Sequence, residues 1–474
     1  MCRNRSVVGT AVGLAALAAI GPASAQSLGD AARLALSSNP AVMAERARLE
    51  AAGEGRAQAL AQRRASAQAD ASAGLAVNWA DNIFGQRVRT ETDPVTGQIQ
   101  LAQPIYTGGR ARAAMDSAEA AIAQAEAAVI ARELSVLRDV AQAYLDIRRD
   151  EETVRIRDNN LKVLNRQLEA AKARFEVGEI TRTDVALAEA RVAQAQTGIA
   201  AAQAQLEVSR AAYRRTVGDP PGTLTAPPEL STLPASLDAA LLEAERLNPQ
   251  IAGARAQEAQ AAAGVRSAEA ERRARATLAL GASGALNQQR DGSESYGGSL
   301  VARVTVPLWT GGFNDSRVRQ FEAQESAARM LVLEQSRIVA QQVTSAWQQL
   351  QAARAAILSN RAAVRANEIA FEGAELELQV GLRTTVDVLD QEQDLLESRL
   401  ALATSERDAY VAGASLLAAM GALDLGDFGV TDAPPARPAL REPRATPFEQ
   451  PLIAVQRVLE SVRAPDVTDR RNDN

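Results

Sequence analysis

The chain has 474 residues, room for two or three ordinary domains, with 46% hydrophobic residues, only 3% aromatics and no histidine. Much of the apolar share is alanine, which suits closely packed helices better than a bulky globular core. The formal net charge is -6, and 52 basic residues lie among 58 acidic ones without a basic block, so there is no electrostatic footprint for nucleic acid.

Residues 1–25 read as a signal peptide. Arg3 and Arg5 supply the charged start, Val7 to Ile20 the apolar stretch, and Ala23-Ser24-Ala25 the small-residue cleavage site, so the mature chain is expected to begin at Gln26. The apolar run, about 14 residues, falls short of the roughly 20 that a spanning helix needs. Cleavage removes Cys2, the only cysteine, and with it any disulfide. No later apolar stretch reaches about 18 residues, which excludes a helical inner-membrane protein. A β-barrel stays open, because its short alternating strands leave a weak hydropathy trace.

The rest of the chain repeats itself. Ser27-Leu28 to Asn39-Pro40 recurs as Ser236-Leu237 to Asn248-Pro249. Pro104 with Thr107-Gly108-Gly109 recurs as Pro307 with Thr310-Gly311-Gly312, and Val177-Gly178, Thr181 and Asp184 recur as Val380-Gly381, Thr384 and Asp387. Three ordered blocks imply one duplicated half. The expected domains are residues 26–221, a linker at 222–235, the second half at 236–425, and a Pro-rich flexible tail at 426–474. Within the tail, Leu452 to Val462 could form a short amphipathic helix. The first half carries about six extra residues before Pro104, in a stretch of turn formers (Asp81-Asn82, Asp93-Pro94, Thr96-Gly97), which suggests a surface loop.

Each half reads in the same order. A short helix interrupted by Asn-Pro leads into an alanine-rich helix, then two strands around a loop. Ala67, Ala69, Ala71, Ala73, Leu75, Val77 and Trp79 alternate with polar residues; so do Leu278, Leu280 and Ala282, then Leu300, Ala302, Val304 and Val306, and more briefly Ile99 and Leu101. Four strands cannot close a barrel, and a barrel in lipid must close, so strands that cross a bilayer imply an oligomer of two, three or four chains. Trp79, Phe84, Tyr106, Tyr296, Trp309 and Phe313 lie in or beside this region, as interfacial aromatics should.

After Gly109 neither proline nor glycine occurs until Gly178, about 70 residues or roughly 105 Å of helix. Ile130, Leu134, Leu137, Ala141 and Tyr144 step by four and three, as do Leu161, Leu164, Leu168, Ala171 and Phe175, the seam of coiled-coil packing. Gly178 allows a turn, and Thr181 or Thr183 can start the returning helix. The second half repeats this from Gly312 through Gly381 to Gly421, with Gly373 an added weak point.

These blocks resemble the TolC family of outer-membrane efflux proteins across Ser27 to Leu425. The match is carried by the Asn-Pro pairs, by Gln103-Pro104-Ile105-Tyr106-Thr107-Gly108-Gly109 with its copy at Pro307 to Gly312, and by Val380-Gly381-Leu382-Arg383-Thr384-Thr385-Val386-Asp387-Val388-Leu389-Asp390. The resemblance implies a mainly α protein with a small membrane β-barrel portion: a homotrimer whose twelve strands close one barrel in outer-membrane lipid, continued by a periplasmic barrel of twelve helices. It also implies a periplasmic adaptor and, through it, an inner-membrane transporter. Val177, Gly178, Val380, Gly381 and Leu382 become candidate adaptor contacts.

Asp387 and Asp390, three apart on a helix, share a face. Around a threefold axis they would form a narrow ring of six carboxylates, which attracts cations and makes full ionisation costly; in the family, aspartates here form the inner constriction. Arg383 matches a family arginine that holds the closed state through the neighbouring hairpin, with Thr183 and Asp184 as its partners. Leu378 departs from the usual tyrosine, which implies looser closure. The duct reading is an exit channel of a tripartite pump or type I secretion system.

A non-pore periplasmic coiled-coil scaffold or adaptor is the rival, and it leaves the amphipathic strands with aromatic edges unexplained. A carboxylate enzyme comes last: no P-loop, nucleophile elbow or dinucleotide fingerprint occurs, and no catalytic residue, metal or cofactor is expected.

Overall fold

The computed structural model describes residues 26–81, 83–287 and 292–430. The signal-peptide reading at 1–25 and the stretch from 431 onward, with the proposed helix at Leu452 to Val462, lie outside the described residues. The elements run α1 (Leu28–Ser38), α2 (Pro40–Ala61), β1 (Ser66–Ala73), β2 (Ala76–Asp81), β3 (Arg87–Thr92), β4 (Val95–Tyr106), α3 (Arg110–Glu176), α4 (Arg182–Val217), α5 (Leu237–Leu247), α6 (Pro249–Ala270), β5 (Arg275–Leu286), β6 (Glu294–Thr305), α7 (Phe313–Gln379) and α8 (Thr385–Met420), with a closing 3-10 turn at Gly426–Phe428.

Two rods dominate. α3 and α7 are 67 residues each, about 100 Å at 1.5 Å per residue. α2 and α4 both pack along α3, while α6 and α8 lie between α3 and α7. The seam residues Leu134, Leu137, Ala141 and Tyr144 are buried as their spacing requires. α7 passes through Gly373 unbroken. A mid-helix glycine costs about 1 kcal/mol, and its neighbour Ala374 is buried.

The Asn-Pro pairs end one helix and begin the next, which is more than an interruption. Asn39 Oδ1 accepts from the Ala41 amide at 2.9 Å while its Nδ2 donates to the Thr216 carbonyl at the end of α4, 3.0 Å away. Asn248 does the same, accepting from the Gln250 amide at 2.8 Å and donating to the Ala419 carbonyl of α8 at 2.7 Å. One side chain thus caps a new helix and satisfies an orphan carbonyl at the end of a sequence-distant one, tying the start of α2 to the end of α4 and the start of α6 to the end of α8. Proline follows at the first helical position, where its missing N–H costs nothing.

A belt of short elements crosses these junctions. Ser27 and Ser236 cap α1 and α5. Leu28, Ala31, Ala35 and Leu36 of α1 form one core with Tyr144, Tyr213, Leu417, Leu425 and Phe428. Phe428 is buried and Asp427 trades hydrogen bonds with Asp424, so the packed body runs to Val430, past the boundary at Leu425 that composition suggests.

The strands make a four-stranded antiparallel sheet in the order β1-β4-β5-β6, plus a separate ribbon of β2 and β3. The run from Ala67 to Trp79 is therefore two strands, broken at Gly74-Leu75, and the second of them pairs with β3 in the ribbon. Thr96-Gly97 lies inside β4, paired with Ala285 and Gly284, and is not a turn. Pro104 is accommodated in β4 because β1 pairs only as far as Ala102, leaving that flank open where a proline lacks an N–H to give.

Candidate functional site

Two regions lie at opposite ends of α3, since β4 leads directly into its start and the glycine turn follows its end. At the sheet end, direct pairing fixes which residues share a face. Ala67, Leu101, Leu280 and Leu300 form one cross-strand row, and Ala69, Ile99 and Ala282 the next. The opposite face carries Gln68 beside Gln100, and Asp70 beside Gln98 and Ser283; Ser72 and Thr96 hydroxyls meet at 2.7 Å. Ile99, Leu280 and Leu300 are nonetheless exposed, and the outer edges of β1 and β6 have no strand beside them among the described residues. An apolar face left open along two free edges would invite aggregation in water.

All six flagged aromatics are exposed, Trp79, Phe84, Tyr296, Trp309 and Phe313 by more than 60%. Tyr106, Trp309 and Phe313 sit where the sheet meets the rods, whereas Tyr296 and Trp79 mark its far end. Arg89 stacks over Trp79, 5.7 Å from the ring centre. Gly108, at φ +65°, turns β4 into α3, and a Cβ there would lie 2.9 Å from the Ala274 carbonyl.

At the other end, Gly178 and Gly381 take φ +79° and +77°, the left-handed conformation that glycine adopts without penalty. The Glu179 and Leu382 amides bond back to the Arg174 and Glu377 carbonyls at 2.9 Å, closing each rod. Val177, Val380 and Leu382 stand out into solvent, each about 70% exposed or more. Thr181, not Thr183, caps α4, and Thr384 caps α8. Asp184 and Asp387 complete the two capping boxes: each accepts from the threonine hydroxyl at 2.8 Å and from its backbone amide, at 2.9 and 3.0 Å.

Within one chain these bonds, first those from the Thr384 backbone and hydroxyl and then the nearby Arg383 charge, hold the Asp387 carboxyl below the usual carboxylate range. That is the reverse of what crowding in a ring would do, because local donors stabilise the anion. Arg383 does not reach Asp184 here; its Nε donates to Glu377 Oε2 at 2.8 Å. Thr183 is exposed in the first turn of α4. Asp390 Oδ1 accepts from Arg191 Nη2 of α4 at 2.6 Å, a half-exposed pair.

Sequence reasoning missed Arg191, Asn160 and Glu392. Asn160 of α3 donates to Glu392 of α8 at 2.8 Å, both almost fully buried; burial pushes the Glu392 carboxyl above its ordinary range, against the pull of Asn160, Arg399 and Arg166. Matching one half to the other sets Asp390 opposite Leu187, which hides a partner one helical turn further along α4.

A mainly helical wall with a small sheet at one end and paired glycine turns at the other defines the channel-tunnel class of fold. The chain belongs to the outer membrane efflux protein family, whose sequence model matches residues 31–219 and 240–422. It is similar to the outer membrane efflux protein BepC of Brucella suis biovar 1 (strain 1330), 31% identical over 221 residues, a region covering 46% of this chain and 48% of that protein. The match thus spans about half the length of that curated relative. Solved structures agree over more of the chain: CusC, TM-score 0.72, 18% identity, 84% of this chain and 92% of that one; VceC of Vibrio cholerae, TM-score 0.69, 24% identity, 83% and 96%; and MtrE of Neisseria gonorrhoeae, solved in its open state, TM-score 0.68, 20% identity, 83% and 89%. At these identities the likeness speaks for the fold.

Proposed function

We propose that this chain, exported with residues 1–25 as its signal peptide, works as a homotrimer that forms an exit duct across the outer membrane. The observation that carries this reading is the sheet: four strands with free edges, one exposed apolar face and one polar face. Three copies closed edge to edge make a barrel of twelve strands, with the apolar rows toward lipid and the glutamine and serine rows toward water. A strand of 12 residues reaches roughly 40 Å, enough for a tilted crossing of an apolar band about 25 Å tall. Trp79, Phe84 and Tyr296 then anchor one rim and Tyr106, Trp309 and Phe313 the other.

Below the membrane, the duplicated halves, residues 26–221 and 236–425 joined by 222–235, each supply a hairpin to a helical barrel in the periplasm. Val177, Gly178, Val380, Gly381 and Leu382 at its far end meet a periplasmic adaptor, and through it an inner-membrane transporter of a tripartite efflux or type I secretion system. Asp387 and Asp390 line the constriction there. Arg383, exchanging Glu377 for Thr183 and Asp184 of the neighbouring hairpin, latches it. The relative's name, an efflux protein, favours efflux as the task.

Fractionation tests the duct directly. The protein is expected in the outer-membrane pellet as a trimer whose gel mobility shifts on heating, and to conduct in planar bilayers; a soluble monomer without conductance defeats the reading in favour of a periplasmic scaffold.

A further inference from the structure

The edges of the sheet carry information that its faces do not. Only four charged residues occur in its four strands. Arg275 and Glu294 begin β5 and β6; the other two, Asp70 and Arg303, lie within the two edge strands and on the same polar face. Asp70 accepts from Gln68 of its own strand at 3.0 Å, and among the described residues neither it nor Arg303 has an ion-pair partner. Pairing runs level across one chain from Asp70 through Gln98 and Ser283 to Gly297. Arg303 lies six residues further along β6, toward the rods.

We propose that β1 of one chain pairs with β6 of the next in a staggered register that sets Asp70 opposite Arg303, and that β2 continues this seam. The inference rests on the reading of the chain as a trimeric duct and fixes how its copies join. Closure itself demands a stagger. Six residues at each of three seams, about 3.3 Å each, set against twelve strands about 4.8 Å apart, tilt the strands by about 45°. The direction agrees as well. The Ile99 carbonyl points toward β5, 3.9 Å from a Cβ placed on Gly281. With the apolar face outward and the rods below, that chirality puts β6 on the left and β1 on the right. Right-handed twist leans every strand to the right, so a level row descends toward the rods as it passes to the next chain, from Gly297 toward Arg303.

Alternation excludes odd staggers, since a slip of one residue turns every side chain to the other face. The charge pair chooses among the even ones, because a slip of two sets Asp70 against Val301 or Thr305. In this register Ala69, Ala71 and Ala73 face Val304, Ala302 and Leu300, and β6 outruns β1 at the far end. The ribbon fills that gap. β2 continues β1 in register, with Ala73 opposite Val95, Ala76 opposite Thr92, and the Gly74 amide donating to the Pro94 carbonyl at 3.1 Å. Leu75, Val77 and Trp79 thus reach Gly298, Tyr296 and Glu294 of the next chain, and the last stretch of β6 gains a partner.

Disulfide trapping in the full-length protein tests the register. The single cysteine, Cys2, falls in the signal reading, so each designed pair adds one candidate bridge per seam. Ser72→Cys with Val301→Cys matches a stagger of six, and Ser72→Cys with Ser299→Cys a stagger of four. Bridged Cα atoms must lie within about 7 Å and diagonal neighbours are about 7–8 Å apart, so oxidised outer-membrane fractions should give about tenfold more covalent trimer with the first pair. Asp70→Arg should lower the temperature at which the trimer dissociates on gels, and the swap Asp70→Arg with Arg303→Asp should restore it. Stronger bridging by the second pair, or none by either in a protein that remains trimeric, overturns the register. A single variant as heat-stable as the original, or a swap as labile as the single variant, overturns the ion pair that selects it. A protein that reaches the outer membrane only as a monomer overturns the duct reading itself.

Discussion

The two helical turns share a backbone and differ in charge. Each ends a 67-residue rod with a left-handed glycine, bonds an amide back to a carbonyl of the last helical turn, and restarts with a threonine-aspartate capping box. Yet Ile180 of the first packs into the apolar cluster with Leu164 and Leu168, whereas its counterpart Arg383 is exposed and paired with Glu377. Leu187 of the first faces solvent, whereas Asp390 holds Arg191. What the backbone needs is kept twice; what sets charge and mobility appears once. A turn requires glycine and a cap wherever it occurs, but an ion pair between hairpins has to be made on only one of them.

Four substitution sets break or sharpen this comparison, and the largest effect lies where a long helix ends against an Asn-Pro junction of its own half. Gly421 ends α8 at φ +83° with a Cβ position 2.7 Å from the Leu247 carbonyl, while Gly218 ends α4 at φ +105° with Ser38 Oγ 3.4 Å away. Gly421→Ala meets both a left-handed penalty and an overlap with backbone, about 2–4 kcal/mol; Gly218→Ala meets the penalty alone, about 1–2 kcal/mol. Thermal melting of the purified protein should rank them in that order, and equal losses would show that the junctions are not differently packed. At the tips, Gly178→Ala and Gly381→Ala have no atom within 4 Å of the new methyl, so each should cost about 1–2 kcal/mol from conformation alone. Thr181→Ala and Thr384→Ala each remove one cap, about 1 kcal/mol. Hydrogen exchange of the first turns of α4 and α8 should rise equally in these pairs if the two backbones are equivalent.

The rods, the glycine turns and the Asn-Pro junctions are legible in sequence because each is a local demand. A run without glycine or proline, a seam stepping by four and three, or a threonine three residues before an aspartate needs no knowledge of the rest of the fold. The sheet face is legible for the same reason, through period-two alternation. The ribbon of β2 and β3 is not, because alternation runs on through Gly74-Leu75 and only pairing partners show that β1 has ended. The contacts of Asp390 and Glu392 are equally hidden. Arg191 and Asn160 lie on other helices, and nothing in the spacing of α8 points to them. Self-alignment even misdirects, since it compares Asp390 with Leu187 when the partner is a turn beyond.

The smallest effect separates the hairpins by pH. Glu392 has its carboxyl raised by burial, so between its ordinary value and its folded one the folded chain binds more protons than the unfolded, and stability falls as pH rises through that window. Asp387 runs the other way: its carboxyl is lowered by Thr384, so its contribution is present above the ordinary value and fades as pH drops. Glu392→Gln keeps an oxygen to accept from Asn160 and removes the buried charge. The variant should therefore match the original in mild acid and gain stability over it from about pH 4.3 upward, by less than the cap losses. The charges around Glu392 are mixed, with Arg399 and Arg166 opposing Glu375, which keeps the difference small. Melting curves of both proteins across pH 4 to 8 check the sign. A variant that loses stability relative to the original as pH rises would mean that ionised Glu392 is well paired, and that it adds a charged hold to the pairs of Arg191 with Asp390 and Arg407 with Asp146 between the hairpins.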